Sequence, residues 1–183
     1  MKTIPCSEAA LDEAAAVLCG GGVAVIPTDT VYGLAAHPAF PGAVERLYSI
    51  KGRERRKKIA LLAADVSAVE AFAGTLSPEL ATLAGRHWPG ALTLVLGDEG
   101  FRVPDHGWTR RLLARCGGVL RVTSANVSGG RPASDAEQAL SDVGLSSDLV
   151  VDGGPSPGGV PSTVVRAGED GGLEILRRGA VVL

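Results

Sequence analysis

A chain of 183 residues, 45% hydrophobic and 21% charged, is long enough to bury one core and too apolar for a disordered segment. Its formal net charge of -2 excludes a globally basic nucleic-acid binder, and its 3 cysteines contain no Cys-x-x-Cys pair, which excludes the usual signatures of a disulfide framework or a zinc site. No apolar stretch approaches the ~18 residues of a membrane span, and residues 1–8 carry no signal-peptide core, so the expected location is cytoplasmic.

In chain order, Leu11, Ala14, Ala15 and Leu18 fall at helical spacing, and predict a first helix over Ser7 to Cys19 that Gly20-Gly21-Gly22 stops. Val23 to Ile26 reads as a short β-branched strand, and Pro27 to Pro38 as a loop. A helix over Ala43 to Ile50 precedes a basic run, Lys51 to Lys58. A strand follows at Ile59 to Ala63 and a short helix at Val66 to Phe72. Ser77-Pro78 has the form of an N-cap and first helical residue, opening a helix that ends near Trp88-Pro89-Gly90. Ala91 to Leu96 is a strand joined through Gly97-Asp98-Glu99-Gly100 to Phe101 to Val103. Trp108 to Cys116 reads as a helix and Val119 to Thr123 as a strand. Ser134-Asp135-Ala136-Glu137 fits a capping box. Leu149 to Asp152, Ser162 to Val165 and Leu173 to Leu176 complete the strands, with a Gly/Pro loop over Gly153 to Pro161. Strands and helices alternate early, but the late strands lack intervening helices. The expected fold is therefore α/β, a mixed sheet flanked by helices rather than a strictly parallel one. It forms one domain over 1–183, with no repeat or linker.

The chemistry concentrates in loops. There is no Gly-x-x-x-x-Gly-Lys-Ser/Thr loop and no Gly-x-Gly-x-x-Gly, so the usual ATP and dinucleotide signatures are missing. The one Gly-x-Ser-x-Gly string, Gly154-Pro155-Ser156-Pro157-Gly158, lies in a Gly/Pro loop rather than a strand-to-helix elbow, so a hydrolase triad has little support. His37, His87 and His106 lack metal-ligand spacing and read as loop or surface residues. What remains is Arg121-Val-Thr-Ser-Ala-Asn-Val-Ser-Gly129. Here the largely apolar run Val119 to Val122, interrupted by Arg121, breaks into small hydroxyl and amide side chains at a strand's carboxyl end, where open α/β sheets bind ligands. Pro27-Thr-Asp-Thr30 is a second polar loop, open to reading as a binding loop or as an ordinary Asp/Thr turn. In Lys51-Gly52-Arg53, two cations two residues apart would point the same way in an extended segment and suit phosphates or carboxylates. By charge alone the Lys51 to Lys58 run fits a solvated loop as well as an anion site. The Gly153 to Pro161 loop has the glycines for close backbone approach to a ligand, and Tyr32 reads as a packing residue.

These pieces, with Trp88-Pro-Gly-Ala-Leu-Thr93, Arg102-Val-Pro-Asp-His106, Asp152-Gly-Gly-Pro155, Ser162-Thr-Val164 and Leu176-Arg177 with Gly179, stand in an order that resembles the threonylcarbamoyl-AMP synthases, the YrdC-like domain. The resemblance covers nearly the whole chain. It implies a twisted mixed α/β sheet with a positively lined cavity, in a short single-domain form. It also implies a nucleotidyltransferase reaction in which L-threonine, bicarbonate and ATP give threonylcarbamoyl-AMP and diphosphate, for threonylcarbamoyl-adenosine modification of tRNA by downstream proteins. By that resemblance the catalytic residues are Lys51, Arg53, Ser124 and Asn126. Thr28, Arg102 and Ser162 would contact substrate. Lys51, Arg53, Thr123, Ser124, Asn126, Ser134 and Arg177 would contact the nucleotide. Mg²⁺ would ride on the phosphates of ATP, with no side-chain cage. The chain departs from the family pattern at Glu54, at Lys58-Ile59, at Leu62 where relatives often carry histidine, and in the shortened connection from Leu96 to Arg102. An alternative of another class is a divergent paralogue that binds RNA or the ribosome through Lys51 to Lys58.

Overall fold

The computed structural model of the protein describes residues 2–157, 159–168 and 172–183. The amino-terminal half contains β1 (Lys2–Pro5), α1 (Glu8–Cys19), β2 (Val23–Ile26), β3 (Gly33–Ala36), α2 (Pro41–Lys51), β4 (Leu61–Ala63), α3 (Val66–Ala73) and α4 (Pro78–His87). The rest contains β5 (Leu92–Leu96), β6 (Glu99–Arg102), α5 (Gly107–Arg115), β7 (Val119–Ser124), α6 (Ala136–Asp142), β8 (Leu149–Asp152), β9 (Thr163–Ala167) and β10 (Leu173–Arg177). No helix among the described residues is long and apolar enough to cross a membrane.

Local chemistry accounts for most helix boundaries. The Ser7 side chain accepts from the Ala10 N–H to start α1, and Ser77 does the same for Leu80 to start α4, where Pro78 needs no N–H partner. One cap differs from the sequence reading. The first cap of α6 is Asp135, whose carboxylate accepts from the Gln138 N–H. Ser134 lies one residue outside, its hydroxyl 3.3 Å from the Gln138 side-chain oxygen. Both residues are good caps, and the helix phase that buries Ala136 and Ala139 selects the second.

The ten strands make a single mixed sheet in the order β1-β8-β2-β3-β7-β4-β6-β5-β9-β10. The pairs β1–β8, β2–β8, β4–β6 and β5–β9 are parallel and the others antiparallel, as the missing late helices implied. Two strands were not foreseen. β1 is an edge strand made by pairing with the distant β8. β3 lies inside the supposed loop over Pro27 to Pro38 and is buried at all four positions, so it has no polar alternation to reveal it. Gly33 at its start is required by packing, because a Cβ there would stand 2.5 Å from Val122 Cγ1.

The two halves of the sheet are dressed differently. Around β8, β2 and β3, helices α1 and α5 pack one face through Leu11, Leu18, Leu112 and Leu113, and α2 and α6 pack the other through Leu47 and Ala139. Across β4, β6, β5 and β9, one face (Leu61, Phe101, Leu94, Val165) lies under Val69 of α3 and Leu80 and Leu83 of α4. Alternation turns Leu62, Arg102, Thr93 and Val164 to the opposite face, where they line a cavity.

Candidate functional site

That cavity has a volume of about 500 Å³. Its floor is the bare sheet face. One wall is the Thr28–Gly33 segment, a second the end of β7 at Thr123 and Ser124, and a third Pro161, Ser162 and Arg177. Arg53, Arg56 and Lys58 come in from the basic run. The predicted residues Thr28, Arg53, Arg102, Thr123, Ser124, Ser162 and Arg177 are thus brought together. Lys51, Asn126 and Ser134 are not part of the cavity lining.

Lys51 departs from expectation for a definite reason. It is the last residue of α2, and Gly52 follows in the left-handed region at φ 58, so no extended segment carries Lys51 and Arg53 in one direction. The Lys51 side chain is 1% exposed. Its ammonium donates short hydrogen bonds to the carbonyls of Ser124 and Asn126, and its Nζ lies 3.5 Å from Asn126 Oδ1. Burial, and then the nearby Arg53, lower its pKa to about 8 against the pull of Asp142. Asn126 is likewise turned inward, with its amide donating to the carbonyls of Val127 at 2.7 Å and Gly130 at 2.9 Å. Ser124, in contrast, lines the cavity.

Cationic side chains around the cavity differ in how far they are neutralised. Arg102 is fully engaged: Nη2 meets Asp29 Oδ1 at 2.6 Å, Nη1 meets Thr30 Oγ1 at 2.8 Å and Nε meets the Gly90 carbonyl at 2.9 Å. At the end of β6 it ties the Thr28–Gly33 wall to the sheet. Arg56 is paired with Glu54, and Lys58 with Asp98 at 3.4 Å. The Glu54 carboxylate, which departs from the family pattern, is thereby held by Arg56 and Lys57. Arg53 and Arg177 are different. Arg53 donates to the carbonyls of Lys57 (2.7 Å) and Lys58 (3.1 Å), and Arg177 to the carbonyl of Ser162 (2.7 Å) and its hydroxyl (3.1 Å). Neither forms an ion pair with a carboxylate among the described residues. Burial, then Arg102 and Arg53, lower the pKa of Arg177, which marks a local excess of positive charge that an anion would relieve.

Hydroxyls complete the walls. Thr28 Oγ1 donates to the Val31 carbonyl at 2.7 Å and accepts from the Thr30 N–H at 3.2 Å, so the Pro27–Thr30 segment is a Thr-held turn that also faces the cavity. Ser162 Oγ lies 2.8 Å from Thr93 Oγ1. Tyr32 is fully buried, and its hydroxyl donates to the Gly154 carbonyl and accepts from the Gly153 N–H. The Gly153–Pro161 loop thereby closes against the wall, with the Gly159 N–H 2.7 Å from the Thr30 carbonyl. Gly158 of that loop lies outside the described residues. Sequence reading did not single out Arg56, Lys58 or Thr93 as cavity residues. The basic run was the available signal for the first two, and the Trp88-Pro-Gly-Ala-Leu-Thr93 motif for the third. Among the described residues no group of three or more His, Cys, Asp or Glu could hold a metal.

The Sua5–YciO–YrdC family model, described as telomere recombination, matches residues 16–179. A threonylcarbamoyl-AMP synthase of Bacillus subtilis (strain 168) is 36% identical over 173 residues, 86% of this chain and 50% of that protein. One of Bos taurus is 33% identical over 193 residues, 94% of this chain and 69% of that protein. The crystal structure of P. abyssi Sua5 complexed with L-threonine matches with a TM-score of 0.91 at 29% identity, covering 98% of this chain and 58% of that one. The chain spans about half the length of the Bacillus subtilis protein.

Proposed function

The chain belongs to the Sua5–YciO–YrdC family, and from that premise we propose that it is a threonylcarbamoyl-AMP synthase, a nucleotidyltransferase acting on L-threonine, bicarbonate and ATP. The observation that carries this reading is the cavity with two cations, Arg53 and Arg177, that form no ion pair with a carboxylate among the described residues. In the reaction, the threonine α-amine condenses with bicarbonate, releasing water and leaving a carbamate. A carbamate oxygen attacks the α-phosphorus of ATP, and the bond to the β-phosphate oxygen breaks to release diphosphate. Two anions must approach one another, so the barrier is largely electrostatic, and fixed cations in a confined site lower it. Arg53 and Arg177 supply that charge, and Thr123 and Ser124 supply neutral donors at the strand end. No nucleophilic side chain is required, and most of the rate comes from positioning. Mg²⁺ would arrive with the triphosphate and supply charge compensation there, with Arg53 and Arg177 carrying the protein's share.

The RNA-binding reading is not favoured, because the matched relatives are named threonylcarbamoyl-AMP synthases and three members of the basic run, Arg53, Arg56 and Lys58, border the cavity. The product is a mixed anhydride, so its consumer is an acyl-transfer system that places the threonylcarbamoyl group on tRNA. The test is diphosphate release from ATP, Mg²⁺ and bicarbonate with and without L-threonine, with the adenylate identified by mass. Threonine-dependent release with the adenylate supports the reading, and its absence from folded, ATP-binding protein overturns it.

A further inference from the structure

We propose that Lys51 is a positioning residue, which acts on the reaction by fixing the Ser124–Gly130 loop and hence the Ser124 hydroxyl, and does not itself touch substrate. The inference rests on the synthase reading for the reaction it serves, and on geometry alone for the loop it holds. The three oxygens around the ammonium, two carbonyls and one amide, match its three donors. Two N–H groups are committed to the carbonyls, and the third faces Asn126 Oδ1 at 3.5 Å. The backbone of the same residue is equally engaged, since its carbonyl accepts from the Ser128 N–H at 2.8 Å.

The loop is held from several sides. The Ala125 N–H donates to the Tyr32 carbonyl at 2.7 Å, the Gly130 N–H to the Val127 carbonyl at 2.9 Å, and the Asn126 amide braces Val127 and Gly130 from within. Lys51 is the contact that ties this loop to the end of α2 through a side chain. The Ser124 carbonyl receives both the Lys51 ammonium and the Asn126 N–H, which sets the peptide plane after Ser124 and with it the backbone that carries the hydroxyl. The adjacent left-handed Gly52 lets the chain leave α2 abruptly. Lys51 then turns under the loop while Arg53 emerges in the cavity. Two cations separated by one glycine therefore divide the labour, with Arg53 meeting the anion and Lys51 holding the wall.

The experiment is a double-mutant cycle on threonine-dependent diphosphate release using Lys51→Met, Ser124→Ala and the double variant, with amide hydrogen exchange of residues 125–130 measured in parallel. Lys51→Met is expected to lower kcat about 100-fold with KM for ATP within about threefold, a displaced wall rather than a lost ligand contact. In the Ser124→Ala background the same change should cost less than about threefold, because both act through one hydroxyl. Exchange of the loop amides should accelerate at least about 10-fold in Lys51→Met. Multiplicative kinetic losses, or a loss confined to KM for ATP or threonine, would overturn the proposal. Unchanged loop exchange would overturn it even if the wild-type protein proved inactive, whereas an inactive wild type with the expected exchange would sink the synthase reading and leave the loop-fixing role standing. Should Lys51→Met fail to fold, Lys51→Arg retains donors to the carbonyls with a longer reach. It should fold, show faster loop exchange than the wild type and lose about 10-fold in kcat; wild-type kcat in Lys51→Arg would count against the proposal.

Discussion

The corner where α2 meets the end of β7 and the open face over β4, β6, β5 and β9 both hold basic side chains, yet the charge has different uses in the two places. In the corner, Lys51 is surrounded by backbone and amide oxygens and donates to two carbonyls. On the open face, Arg53 and Arg177 bond to neutral oxygens and keep their net charge facing a cavity. The difference shows that counting cations near a pocket overstates its affinity for anions. What matters is which of them lack a compensating carboxylate, and by that measure Arg102, tied to Asp29, belongs with the scaffold.

The largest expected effect is on the open side. Arg53→Ala and Arg177→Ala should each lower threonine-dependent diphosphate release by about 100-fold or more, the scale for losing a preorganised electrostatic contact, while unfolding in urea shifts by less than about 1 kcal/mol. Wild-type turnover in either variant would erase the distinction. Next is the closed corner. Lys51→Met should cost about 2–3 kcal/mol of stability by urea denaturation, because the Ser124 and Asn126 carbonyls lose a charged donor in a dry site.

The pH response sharpens the same contrast. Folded Lys51 has a pKa of about 8, against an ordinary 10.5. Between those values the unfolded chain holds a proton that the folded chain has released, so this group's contribution to stability rises with pH across the window. Below about 8 both states are protonated and the slope from this group vanishes. Urea midpoints of the wild type and Lys51→Met from pH 7.5 to 10 should therefore diverge only above about 8, by at most about 1.4 kcal/mol per pH unit. A difference that is flat with pH would mean that the Lys51 charge is not desolvated. The smallest effect belongs to the outward part of the basic run. Arg55 pairs with Glu45 and has a 79% exposed side chain, and Lys57 pairs with Glu54 at 52% exposure. Arg55→Ala combined with Lys57→Ala should leave turnover within about twofold and stability within about 0.5 kcal/mol, and a large loss would revive an electrostatic role for that surface.

Most elements were legible in the sequence because their signals are local. Ser7, Ser77 and Gly20 mark helix ends by their own hydrogen bonds, and Leu149 to Asp152 is a continuous apolar run. β3 was hidden because Gly-Leu-Ala-Ala is buried on both faces and shows no period, and β1 because its pairing with β8 crosses most of the chain. The site was legible as a set of polar loops, and seven of its predicted residues do meet. What could not be read was direction. The reading of Lys51 and Arg53 as a convergent pair assumed extended backbone, and a glycine in the left-handed region broke that geometry. Asn126 was grouped with Ser124 by the same alternation, which ends where β7 ends.

The uneven dressing of the sheet bears on how this protein can change. Leu61, Leu94, Phe101 and Val165 belong to a core packed under α3 and α4, while their neighbours Thr93, Gly100 and Val164 form the cavity floor. Each strand thus carries two independent alphabets on alternate residues, one read by folding and the other by whatever enters the cavity. Substitutions on the floor can reshape substrate choice without opening a void beneath the helices, so catalytic novelty in this scaffold need not be bought with stability.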